Sequence, residues 1–203
     1  MKISKKMMYV IAAAILLASF AAFVYRLGTV NLIDVADFNP VIGRADAPVT
    51  LVVFGSYNCI YTGKFFLEAF PWLKQEYVDA GKMRIVYRQA PVSQDLQPAE
   101  EASLCANDQG KFWEFSSMLF ENEEWKQEIN TSLERYSSEL GINQSAFSDC
   151  LNNHVHLKDI GDDYNYWTRL GLKKTPTLFV NGVKIDGLPP KDDLESLLSK
   201  FNY

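Results

Sequence analysis

The sequence predicts an α/β fold: one strand-and-helix layer interrupted by an all-α helical insertion and preceded by an N-terminal transmembrane helix or signal segment. Three observations lead there. Val49 to Phe54 is a continuous β-branched and aromatic run, followed by apolar residues at helical spacing and by a second strand-like run, Met83 to Arg88. Strand signals vanish from Pro98 to about Leu170, where helical spacing takes over. Alternation then returns at Thr177 to Val180 and meets Asn181-Gly182, the strongest short hairpin-turn signal.

Taken in order, the chain opens with Lys2, Lys5 and Lys6 before Met7 to Tyr25, an apolar stretch without charge. Residues 1–26 therefore read as a membrane anchor or a cleavable signal peptide. The best small-x-small cleavage site, Ser19-Phe20-Ala21, would leave apolar Ala22 to Tyr25 on the mature chain, which favours the uncleaved anchor. Lysines before the span orient the N-terminus to the cytoplasm. The expected location is the cell membrane, single-pass, with the C-terminal domain extracytoplasmic; the alternative is a secreted or periplasmic protein. The net charge is -5, and the first 26 residues hold four cations and no acid, which leaves about -9 on the exported part. No basic stripe is visible, so nucleic acid is not an expected partner, and the scattered acids read as a solvated surface. With 48% hydrophobic residues, disorder is not expected.

Residues 27–47 mix Gly, Asn, Asp and Pro with isolated apolar residues, which suits a tether with one short edge strand. Val49 to Phe54 has the length and composition of a central strand buried on both faces. Phe65, Phe66, Ala69, Phe70, Leu73 and Tyr77 then recur at helical spacing, with Pro71 as an expected kink and Gly81 as the stop. Helices are expected over Pro98 to Asp108, Lys111 to Asn122, Thr131 to Leu140 and a segment from Ser145 through Trp167. Val183 to Ile185 returns from the hairpin turn, and Asp192 to Phe201 closes the chain as a helix.

The chemistry centres on one cysteine. Cys59-Ile60-Tyr61-Thr62 follows the central strand at a helix start, where unpaired backbone N–H groups and the positive end of the dipole lower a thiol's pKa. Cys59 is thereby placed to be a nucleophile. A dithiol pair attacks with its first sulfur and releases the target with its second, and Thr62 cannot do that second job. Thr62 is instead positioned to donate a hydrogen bond to the Cys59 thiolate. Tyr61, an aromatic beside the nucleophile, is a contact for a peptide substrate or a packing residue.

These residues resemble the DsbA-like branch of the thioredoxin superfamily over roughly Pro48 to Phe201. The resemblance rests on Ala47-Pro48-Val49-Thr50, the cysteine at the helix start, Gly110-Lys111-Phe112-Trp113 in the insertion, and Thr175-Pro176-Thr177 before Leu178-Phe179-Val180-Asn181-Gly182. It implies a thioredoxin fold whose first half is 48–97 and second half 171–203, with the helical insertion 98–170 between them. It also implies that Pro176 is cis and lies with Thr175 beside Cys59, offering backbone groups to an extended peptide; the alternative is an ordinary trans turn proline. Four positions depart from the family pattern together: Thr62 for the second cysteine, Ile60 for a frequent proline, Ser56 for a common acid, and Val53 where the family often has a buried glutamate. A buried carboxylate there serves the second thiol, so losing one removes the reason for the other. The concerted change marks the monothiol state as native.

Cys105 and Cys150 fall in different predicted helices and, in an oxidising compartment, most simply form a structural disulfide; the alternative is that one of them resolves Cys59 at a distance. His154 and His156 at i, i+2 on a helix would face different sides, so no metal is expected. Trp113, Phe115, Leu119, Phe120 and Trp125 read as the core of the insertion. Asn130-Thr131-Ser132 and Asn143-Gln144-Ser145 match the glycosylation sequon and carry no weight by themselves.

The expected function is extracytoplasmic thiol-disulfide exchange through Cys59, acting on cysteine-containing proteins or peptides. No cofactor is expected beyond glutathione or another small thiol as co-substrate. A different reading is a non-catalytic module that keeps the peptide groove near Pro176 as a chaperone or adaptor.

Overall fold

Seven consecutive buried residues, Val49–Gly55, form the middle strand of a five-stranded mixed sheet. The computed structural model describes residues 35–91 and 97–201. The anchor or signal expected over residues 1–26 and the start of the tether lie outside them, and among the described residues no helix is long and apolar enough to cross a membrane.

The strands are β1 (Val41–Ile42), β2 (Val49–Gly55), β3 (Met83–Gln89), β4 (Thr177–Val180) and β5 (Val183–Asp186), in the spatial order β1-β3-β2-β4-β5. β2 pairs parallel with β3, as a helical crossover requires, and antiparallel with β4. The stretch read as a tether supplies the short edge strand β1 and the buried Asn39. At the other edge Asn181 and Gly182 both have positive φ, 47° and 86°, the geometry of a two-residue hairpin turn, and Val180 faces Val183 across it. The Asn181 side chain also accepts from the Thr50 N–H at 2.8 Å and donates to the Pro48 carbonyl at 3.0 Å, tying the hairpin to the entry of β2.

Helix α1 runs without interruption through Ile60–Lys64, Phe65–Ala69, Phe70–Leu73 and Lys74–Val78, the second and fourth segments being π-helical. Pro71, the expected kink, brings no N–H to the ladder and lies between the two π-helical segments. The insertion holds α2 (Gln97–Asn107), α3 (Phe112–Glu121), a 3-10 turn Glu123–Lys126, α4 (Ile129–Glu139), α5 (Gln144–Asn152) and α6 (Leu157–Arg169); α7 (Lys191–Leu198) closes the sheet layer. The segment expected as one helix from Ser145 through Trp167 breaks at a turn in which His154 takes φ 50°.

Two apolar cores meet at α3. Phe112 and Trp113 pack into the sheet core, where Trp113 stacks on Phe70 with ring centroids 4.6 Å apart, while Phe115, Leu119 and Trp125 pack into the helical core. The expectation that Trp113 belongs to the insertion's own core is thus corrected, because neighbouring positions on a helix between two layers face different ones. A buried polar knot fixes α6 to the sheet. Asp163 accepts from Arg88 Nε at 2.8 Å, from the Gln89 N–H at 2.9 Å and from Asn39 Nδ2 at 3.1 Å.

Candidate active site

Cys59 is the N-cap of α1, in extended conformation with φ -103° and ψ 115°, and its carbonyl accepts from the Gly63 N–H at 3.0 Å. The turn before it is closed by Cys59 N–H to the Ser56 carbonyl at 3.1 Å. β4 delivers the opposite wall. The Thr175–Pro176 peptide bond is cis, and the Cys59 thiol donates to the Thr175 carbonyl at 2.9 Å. Cys59 and Thr175, 116 residues apart in sequence, are thereby brought into contact.

The half-buried sulfur feels opposing influences. Burial pushes the Cys59 thiol up, and the hydrogen bond to the Thr175 carbonyl also favours the thiol; the Thr175 side chain, the Thr62 N–H and hydroxyl, and the Tyr61 N–H outweigh them and hold its pKa below the ordinary thiol value. Thr62 is fully buried, and its Oγ1 accepts from the Ser56 N–H at 3.4 Å, which leaves the hydroxyl hydrogen for the sulfur. Gly55 is required beside it. A Cβ there would stand 2.5 Å from the Tyr87 hydroxyl and 2.7 Å from Thr62 Cγ2.

Around the sulfur, exposed apolar side chains stand among the charged Lys64, Glu68 and Lys126. Ile60 is 73% and Tyr61 54% exposed, with Leu67 also exposed. Tyr61, Trp72, Leu188, Pro189 and Pro190 line a groove of about 380 Å³, and Cys59, Ile60, Leu67 and Phe120 line a second of about 310 Å³. Each can hold part of an extended chain.

Cys105 and Cys150 are joined to each other by a disulfide, and Cys59 is the free cysteine. The two histidines have separate partners: His154 meets Glu101 at 2.9 Å, and His156 meets Asp108 at 2.9 Å and Asp159 at 2.8 Å.

Sequence reasoning missed the polar cluster behind the active turn. Tyr57, two residues before Cys59, is buried with its ring stacked on Phe120 and its hydroxyl 2.7 Å from Ser116 Oγ. Gln89 Nε2 donates to Ser103 Oγ at 3.0 Å. Glu100 is fully buried with neither carboxyl oxygen hydrogen-bonded, and burial, then the neighbouring Glu101, raises its pKa to about 8. The available signal was the acid pair Glu100-Glu101 inside the small-residue run from Ala99 to Ala106, which a solvated helix face does not explain.

A thiol held at a helix start beside a cis-proline, on a strand-helix-strand layer extended by a hairpin, defines a thioredoxin-like thiol protein. The chain belongs to the thioredoxin family, whose model, described as Thioredoxin, matches residues 36–200. It is 24% identical over 171 residues to disulfide bond formation protein D of Bacillus subtilis (strain 168), covering 79% of this chain and 76% of that protein. It is 30% identical over 155 residues to Na(+)/H(+) antiporter NhaA 3 of Salinispora tropica, covering 74% of this chain but only 23% of that relative's length. Among solved structures, Wolbachia pipientis alpha-DsbA1 superposes with a TM-score of 0.74 over 84% of this chain and 94% of that one, at 24% identity. Oxidised BdbD from Bacillus subtilis does so with a TM-score of 0.70 over 80% and 92%, at 23% identity. At these identities the structural likeness speaks for the fold alone.

Proposed function

We propose that this chain is an extracytoplasmic, DsbA-like thiol-disulfide exchange protein that works through Cys59 alone. The observation that carries the reading is the sulfur's position: at the N-cap of α1, in contact with Thr175 beside the cis bond, and held below the ordinary thiol pKa. In the first step the Cys59 thiolate attacks one sulfur of a target disulfide. The Cys59–sulfur bond forms as the target S–S bond breaks, and the other target sulfur leaves as a thiolate that takes a proton from solvent. In the second step a thiolate from glutathione, from another small thiol, or from the target's own second cysteine attacks the mixed disulfide and returns Cys59 as a thiolate. No thiol of this chain is consumed, which favours isomerisation or deglutathionylation over net oxidation.

The backbone next to Pro176 and the exposed Tyr61 would receive the target as an extended peptide. Residues 1–26 would hold the domain at the outer face of the membrane, where cysteine-containing proteins and peptides are its partners. The test is alkylation of Cys59 across pH with site assignment by mass spectrometry, together with trapping of mixed disulfides. A fast Cys59 with a midpoint below that of a free thiol, about 8.5, and covalent adducts lost in Cys59→Ser are the expected results. A Cys59 that alkylates like an ordinary thiol overturns the reading.

A second reading is a peptide-binding adaptor without catalysis, favoured by the exposed Ile60, Tyr61 and Leu67 and the groove against Leu188 to Pro190. Noncovalent capture of a partner that survives Cys59→Ser, with no adduct in the parent chain, would establish it.

A further inference from the structure

Three helix ends converge on the disulfide. Cys105 lies in the last turn of α2 and Asp108 just beyond it; Cys150 lies in the last turn of α5; His156 is the N-cap of α6. The sulfurs of Cys105 and Cys150 and a ring nitrogen of His156 all lie within 4.8 Å of one another, and all three residues are buried. Asp108 Oδ2 stands 2.9 Å from His156 Nε2 and 3.9 Å from Cys150 Sγ. Two thiol sulfurs, one imidazole nitrogen and one carboxylate oxygen are the donor types that tetrahedral zinc takes, and its ligands stand about 3.3–3.8 Å apart.

The arrangement has further features of a metal site. Asp159 Oδ2 holds His156 Nδ1 at 2.8 Å, which leaves Nε2 to Asp108; a carboxylate behind a histidine in this way orients a metal-bound ring. The Asp108 side chain is about half exposed, so an ion has a way in from solvent. Along the chain the donors fall as Cys105-x-x-Asp108 and Cys150-x5-His156, two short-range pairs of the kind zinc sites are built from.

We propose that, when the Cys105–Cys150 disulfide is reduced, Cys105, Cys150, His156 and Asp108 bind one zinc ion, so that this junction is held by either a covalent bond or a metal. The reductant is a dithiol, which delivers two electrons and two protons to the S–S bond and leaves as its own cyclic disulfide. Zinc then binds both sulfurs as thiolates and displaces their two protons, and the hydrogen bond between His156 and Asp108 gives way to two metal bonds. The site is separate from Cys59 and goes beyond the exchange reading.

Cobalt(II) is the probe, because thiolate ligation gives it a near-ultraviolet charge-transfer band and tetrahedral ligation gives strong visible bands. The full chain carrying Cys59→Ser, which removes the third thiol, is reduced with a dithiol, freed of it without oxygen, and titrated. One cobalt per chain with both sets of bands, bleached by zinc and absent from the oxidised chain, is expected. His156→Ala and Asp108→Ala should each weaken binding tenfold or more, and zinc should raise the melting temperature of the reduced chain. A reduced chain that takes up no cobalt overturns the proposal. So does one that binds it equally in His156→Ala and Asp108→Ala, since two cysteines of an opened chain would do that without a built site.

Discussion

Replacing Thr62 by valine keeps the shape of a fully buried side chain and deletes its one polar atom. Oγ1 accepts from the Ser56 N–H at 3.4 Å, and its hydroxyl is among the groups that favour the Cys59 thiolate. A hydrogen bond to a charged group is worth about 1.5–3 kcal/mol. The sulfur is half-buried, so screening by solvent brings the loss to the lower end, about 1.4 kcal/mol, or a tenfold smaller thiolate fraction below the midpoint. A more basic thiolate is also more nucleophilic, and with a Brønsted coefficient of about 0.4–0.5 this recovers roughly threefold. Alkylation of Cys59 in Thr62→Val should therefore be about threefold slower at a pH below the midpoint, and its midpoint should lie higher. Loss of the long bond from Ser56 should cost about 1 kcal/mol of stability, read by urea unfolding. An alkylation profile that superposes on the parent's would refute the assignment of Thr62 as a thiolate donor and leave the backbone N–H groups and Thr175 as the cause.

Three other outcomes are expected. Glu100 has its pKa raised from 4.5 to about 8, so it takes up a proton on folding in that interval. The sign follows: stability is highest below the unfolded value and falls as pH rises toward 8, by at most about 5 kcal/mol. Urea unfolding from pH 5 to 8 should show this fall flattened in Glu100→Gln, and parallel curves would contradict it. Asp163→Ala removes the carboxylate shared by Arg88, Gln89 and Asn39 and should cost about 3–5 kcal/mol in denaturant unfolding; a loss below 1 kcal/mol would mean that the knot adds little. Replacing Cys105 and Cys150 together by serine opens a loop with 45 residues of separation and should cost about 4 kcal/mol on the chain-entropy account; an unchanged melting temperature would argue that the helical core alone holds the junction.

How much of this was legible depended on whether the signal was local. Val49 to Phe54, the apolar spacing of α1 and the Asn181-Gly182 turn each satisfy a short-range rule, and the structure places those elements where periodicity put them. Tether composition concealed Asn39, whose value lies in Asp163, 124 residues away. The break between α5 and α6 was missed because Asn153 to Val155 carries no Gly or Pro, and His154 takes the left-handed turn that glycine usually marks. At the site, Cys59, Thr62, Thr175 and Pro176 could be named from motif and resemblance. The cluster of Tyr57, Gln89, Ser103, Ser116 and Glu100 could not, because its members come from a turn, a strand and two helices and look ordinary one at a time.

The contact between Cys59 and Thr175 closes across 116 residues, and the whole helical insertion must be threaded before the two meet. Until β4 docks on β2, the sulfur lacks Thr175. An unfinished chain thus presents Cys59 without Thr175, and a finished one presents it with Thr175 in contact. The environment of the sulfur is therefore completed by topology, not by the local motif alone. The same long-range closure that costs loop entropy is what completes the surroundings of the sulfur.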